Sequence, residues 1–159
     1  MIETRLLARE ERPLLAPLFA ELFAHYGEAV PDDAALVRAI VEQPPGVEMI
    51  AAIGPEGPVG LACFSHIFPA ISASSQIYMK ELYVGASARG AGVGEILVRA
   101  LARVALARGC TRLDWTTARD NAGAQAFYRR LGARVVEEKV FFRLEGSDLA
   151  RLAGEPPPR

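Results

Sequence analysis

The chain has only two cysteines in 159 residues, Cys63 and Cys110, and no CxxC motif. That scarcity excludes a disulfide framework and a cysteine-built metal centre, and buried free thiols are the expectation. Histidine is as rare: His25 and His66 are too few for a metal cluster. Lysine is nearly absent beside arginine, a genomic bias with no functional weight. No apolar run is long enough to cross a bilayer, and the start has no signal-peptide pattern. The expectation is a soluble cytoplasmic protein with no metal, no membrane and no nucleic acid as partner.

A hydrophobic content of 51% is ample for one core. One domain is expected over residues 1–145, with a flexible tail over 146–159. The net charge of −1 hides an asymmetry. Residues 85–134 carry nine arginines against Glu95, Asp114 and Asp120, whereas residues 1–84 are strongly acidic. A basic half suits a multiply anionic ligand and an acidic half suits a cationic one, although ordinary surface charge gives the same balance.

Hydrophobic spacing predicts a strand over Ile2–Leu7 and a helix from Pro13 to Gly27. A second helix is capped by Asp32 and stopped at Pro44-Pro45. A hairpin, Val47–Ile53 and Val59–Phe68, turns at Gly54–Pro58. A strand over Ile77–Val84 is followed by a glycine loop and a helix ending at Gly109. A strand over Arg112–Thr116, a helix over Asn121–Leu131 and one or two strands within Val135–Leu144 complete the order. No internal repeat is present.

The glycine loop, Arg89-Gly90-Ala91-Gly92-Val93-Gly94, lies between that strand and helix. Glycines there let the backbone approach an anion closely. The unpaired N–H groups of the following helix, with its dipole, then face that anion. A Walker loop would need Lys and Ser/Thr where Glu95 and Ile96 stand. A dinucleotide loop would need G-x-G-x-x-G, and its acidic partner could only be Asp114. The pattern R/Q-x-x-G-x-G/A is filled by Arg89, Gly92 and Gly94.

With that loop, the preceding Glu81-Leu82-Tyr83-Val84 and the later block from Asn121 through Tyr128 to Gly132-Ala133, the chain resembles the GNAT superfamily of N-acetyltransferases. The resemblance spans about residues 77–138. It implies an α/β fold, with a mixed, mostly antiparallel sheet of six to seven strands split between strands 4 and 5 and flanked by about four helices. It also implies acetyl-CoA as acyl donor. Leu82, Tyr83 and Val84 would bond the pantetheine arm through their backbone. Arg89, Gly90, Ala91, Gly92, Val93, Gly94 and Glu95 would hold the pyrophosphate. Asn121 would hold the arm, and Tyr128 would reach the sulfur.

Transfer of acetyl to an amine requires loss of an ammonium proton, for which Glu81 is the candidate base. Tyr128 is the candidate acid for the departing thiolate. The acceptor site would draw on the first two helices, their loop and the turn after the third strand. Tyr26, Glu28, Asp32 and His66, with Trp115 after the fifth strand, are its candidates. Acidic and aromatic groups suit a small cationic amine, and the motif order leans towards the diamine and polyamine branch. A protein or peptide acceptor and a non-catalytic acyl-CoA sensor are the alternatives. Homodimers are common in the superfamily, and Val140, Phe142 and Leu144 would either pair across one or finish the core.

Overall fold

A computed structural model describes residues 1–156; the last three of the proline-rich tail, 157–159, lie outside the described residues. The chain forms two compact units, Met1–Ala118 and Arg119–Arg159.

The first unit is a five-stranded sheet in sequential order: β1 (Glu3–Leu6), β2 (Val47–Gly54), β3 (Gly57–Ile67), β4 (Gln76–Val84) and β5 (Arg112–Asp114). Every pairing is antiparallel except the parallel β4–β5 pair. One face is covered by α1 (Ala16–His25) and α2 (Asp33–Val41). Leu15, Leu18, Leu22, Leu36 and Ile40 pack there with Met49, Ala51, Leu61, Cys63 and Tyr83. The predicted first helix starts later than Pro13, because residues Arg9–Leu15 form a 3-10 helix, which leaves Leu14 exposed. Asp32 caps α2 as expected, its Oδ1 accepting the Ala35 N–H at 2.9 Å.

The other face carries α3 (Val93–Ala107), which buries Val93, Leu97, Ala100 and Leu101. Gly60 on β3 makes this contact close. A Cβ there would stand 2.9 Å from Val93 Cγ1 and 3.1 Å from both Leu97 Cδ1 and the Tyr83 carbonyl oxygen. Glycine thus sets how near the start of α3 lies to the sheet.

Two irregularities of β4 shape the site. It pairs with β5 only through Gln76, Ile77 and Tyr78, and then continues six residues without that partner. The joined end is tied by polar groups: Arg112 Nε donates to Gln76 Oε1 at 2.8 Å and meets Asp114 Oδ2 at 3.2 Å. The expected split between strands 4 and 5 is therefore present, above a short parallel join. On its other edge β4 has a bulge. Phe64 pairs with Met79 and Cys63 with Glu81, so Lys80 is the extra residue.

The second unit contains α4 (Ala122–Arg130) and α5 (Gly146–Ala153). The strands expected within Val135–Leu144 do not form, and among the described residues the sheet has five strands rather than six or seven. Val140, Phe142 and Leu144 stand exposed. Their alternation is a local strand signal, but a strand also needs a paired edge, which periodicity does not supply. The segment expected to be a flexible tail from residue 146 includes the turns of α5. Among the described residues no helix is long and apolar enough to cross a membrane.

Candidate active site

Strand alternation and the bulge decide where Glu81 points. Met79 shares the face of its partner Phe64, the α3 face that Gly60 also occupies. In a regular strand Glu81 would join them. The extra Lys80 turns Glu81 to the opposite face with Cys63, towards α1. There the Tyr26 hydroxyl, just past the end of α1, donates to Glu81 Oε1 at 3.2 Å. A predicted base and a predicted acceptor residue, 55 positions apart, thus meet.

Burial pushes the Glu81 carboxyl above the usual carboxylate range. The hydrogen bond from Tyr26 and the Lys80 charge oppose this, and Glu28 adds a further push upward. The Tyr26 hydroxyl is raised by burial first and then by the Glu81 charge. Cys63, the cross-strand neighbour of Glu81, has its thiol pushed up to about 12, chiefly by burial. A thiol held so strongly protonated is a poor nucleophile near neutral pH.

The glycine loop follows β4. Gly90 and Gly92 have φ of +80° and +78°, the left-handed region that glycine enters freely. No heavy atom lies within 4 Å of where a Cβ would stand on either. Gly92 is the N-cap of α3, and the first helical bond runs from the Ile96 N–H to its carbonyl. The N–H groups of Val93, Gly94 and Glu95 precede that bond and form the open first turn. Glu95, whose charge would repel an anion, is paired with Arg99 at 2.7 Å. The turn fits a phosphate group.

The unpartnered edge of β4 fits an amide-bearing chain. Gly85 N–H donates to the Val59 carbonyl at 3.0 Å, across to β3. By alternation Tyr83 also directs its backbone to β3, while the backbones of Leu82 and Val84 face the other edge. The three residues expected to act alike thus divide two to one. Arg89 folds back onto this strand end: its Nε donates to the Val84 carbonyl at 3.3 Å and its Nη2 to the Tyr83 hydroxyl at 3.3 Å.

Two other acceptor candidates sit elsewhere or have other work. His66 meets Glu48 at 3.6 Å beside Arg108, the C-cap of α3, and not Tyr26 or Glu81. Asp32 is engaged in capping. Trp115 follows β5, half-buried. In the second unit Asn121 caps α4, Oδ1 accepting from Ala124 N–H at 3.0 Å, and the Tyr128 ring meets that of Phe127 at a tilt, 5.0 Å between centroids. Sequence reasoning missed Glu21 on α1, whose Oε2 accepts from Ala86 N–H at 3.2 Å and from the Tyr83 hydroxyl at 3.4 Å. It also missed His25, whose ring lies 5.5 Å from that of Tyr26. Neither carries a motif signal. Among the described residues no group of three or more metal-ligating side chains exists.

A glycine turn able to hold an anion, beside a splayed strand that carries a half-buried carboxylate, suits an acyl-transfer fold. The chain belongs to the acetyltransferase (GNAT) family, whose model matches residues 12–133. It is 34% identical over 116 residues to the thialysine N-epsilon-acetyltransferase of Bos taurus, covering 68% of this chain and 66% of that protein. It is 30% identical over 93 residues to the L-ornithine N5-acetyltransferase of Arabidopsis thaliana, covering 58% of this chain and 41% of that protein. The matches thus span less than two thirds of these relatives' length. Among solved structures, an integron cassette protein from the mobile metagenome of V. cholerae superposes with a TM-score of 0.90 at 35% identity. That match covers 96% of this chain and 97% of the other.

Proposed function

We propose that the protein is an N-acetyltransferase that moves acetyl from acetyl-CoA to a primary amine of a small cationic substrate, by direct attack with both substrates bound. The observation that carries this reading is the Tyr26–Glu81 pair, placed by the bulge on the strand whose far edge is open.

Acetyl-CoA supplies an activated acetyl thioester. The N–H groups of Val93, Gly94 and Glu95 bind its diphosphate, and the Arg89 charge assists from its place against the end of β4. The backbones of Leu82 and Val84 hold its arm, and so does the Asn121 amide nitrogen, since the Oδ1 of that residue is occupied by its cap. Glu81 takes the proton of the incoming ammonium, a task that its burial-raised pKa suits. The Val84 N–H stabilises negative charge on the acetyl oxygen. Tyr128 returns a proton to sulfur. Cys63, the thiol nearest Glu81 in the sheet, is held protonated, which favours direct transfer over an acyl-cysteine route.

Glu28, Glu81 and Tyr26 are the acidic and aromatic groups that receive an ammonium-bearing chain. The thialysine and ornithine acceptors named for the relatives are small molecules with such an amine, which supports this class. The test is turnover of acetyl-CoA against diamines, polyamines, basic amino acids, aminoglycosides and an N-terminal peptide, with CoA counted by chromatography. Turnover of small cationic amines is expected. Turnover of the peptide alone would replace the reading by a protein acetyltransferase, and binding without turnover would replace it by a sensor.

A further inference from the structure

We propose that Glu21 is a positioning residue that ties helix α1 to the start of the donor-binding loop, so that it governs acetyl-CoA affinity without touching acetyl-CoA; this rests on the acetyl-CoA reading above. One carboxylate oxygen, Glu21 Oε2, accepts from two donors: the Ala86 N–H at 3.2 Å and the Tyr83 hydroxyl at 3.4 Å. Ala86 opens the turn leaving β4. Between the two donors lies Gly85, where a Cβ would stand 3.0 Å from Leu18 Cδ2 and 3.7 Å from Glu21 Oε2. The helix therefore lies directly on the turn, and a Cβ at Gly85 would press on the Leu18 side chain.

The contacts continue to the loop in one direction. Arg89 Nη2 donates to the Tyr83 hydroxyl, and its guanidinium carbon lies 5.7 Å from the Tyr83 ring centroid. Because Tyr83 gives its own proton to Glu21, its oxygen is free to accept from Arg89. Loss of Glu21 removes that acceptor, leaves the Ala86 N–H without it, and frees the Tyr83 hydroxyl, one of the two oxygens that hold Arg89, to rotate. The turn that presents the cradle then samples more positions, and binding must order it again. The same helix ends at Tyr26 on Glu81, so one element carries both the loop anchor and the base's partner.

The test compares Glu21→Ala with Glu21→Gln by calorimetric binding of acetyl-CoA, steady-state kinetics and melting. Glu21→Ala is expected to raise the Kd and the KM for acetyl-CoA about fivefold, the scale of one lost hydrogen bond. The kcat at saturation and the amine KM should stay within about twofold. Glu21→Gln keeps a carbonyl acceptor for both donors and should restore wild-type binding. In a Tyr83→Phe background the Glu21→Ala effect should shrink, since the relay is already cut. An unchanged acetyl-CoA KM in Glu21→Ala, or a lowered melting temperature with unchanged KM, would overturn the proposal. Failure of the wild-type protein to bind acetyl-CoA would instead overturn the acetyl-CoA reading itself.

Discussion

Replacing Gly92 by alanine separates the cradle's chemistry from its backbone cost. Gly92 has φ of +78°, and its Cβ position is open for 4 Å. No clash arises, so the cost is conformational, about 1–2 kcal/mol for an L-residue held there. Against a domain stability of about 5–15 kcal/mol, the fold survives with a melting point lowered by a few degrees. The chain escapes that strain by turning the residue to negative φ, which redirects the N–H groups of Val93 and Gly94. Each hydrogen bond to a charged group is worth about 1.5–3 kcal/mol. Losing two therefore weakens acetyl-CoA binding about 100-fold or more, at about 1.4 kcal/mol per tenfold. Gly109 provides the control: its φ is +69°, its Cβ position is equally open, and it follows the far end of α3. Gly109→Ala should lower the melting point similarly and leave binding intact. Calorimetric titration of both variants decides the matter. Equal acetyl-CoA affinities in the two variants would refute the cradle.

Glu81→Gln should abolish the acid limb of the pH–rate profile, because the rate rises as the carboxylate forms; a persisting limb would show another base. The raised folded pKa of Glu81 contributes stability at low pH that is lost as pH rises through that pKa. Glu81→Gln should accordingly melt higher than wild type at pH 8 and not at pH 4, as scanning calorimetry would show. Tyr26→Phe removes a hydrogen bond that lowers the Glu81 pKa, so the acid limb should move to higher pH. Gly60→Ala should cost about 1–3 kcal/mol, read from urea unfolding, since its Cβ meets Val93, Leu97 and a carbonyl oxygen. Tyr128→Phe should lower kcat about 100-fold with acetyl-CoA Kd unchanged, and a wild-type rate would make the hydroxyl dispensable.

The order of elements through α4 was legible because burial imposes its period on the chain. Leu15, Leu18 and Leu22 repeat at helical spacing, and the Gly54–Pro58 turn punctuates two apolar runs. The glycine loop was legible because the positive φ at Gly90 and Gly92 admits few residues other than glycine. The strands expected from Val135 to Leu144 were misread because alternation records a face and not a partner strand. The start of the first helix was misplaced because a 3-10 helix and an α-helix share local composition.

The sequence by itself determined the family, the glycine turn before α3 and the carboxylate on β4, since each is written in contiguous residues. Only the tertiary structure decided which way that carboxylate points. One extra residue opposite Cys63 and Phe64 reverses the face of Glu81, and a bulge exists only in the pairing of two strands. The structure alone also brought Tyr26 to Glu81 and Glu21 to Ala86, and sent His66 to Glu48. Hydrogen bonds between residues 55 or 65 positions apart depend on how helix and sheet pack, and local sequence does not encode that distance.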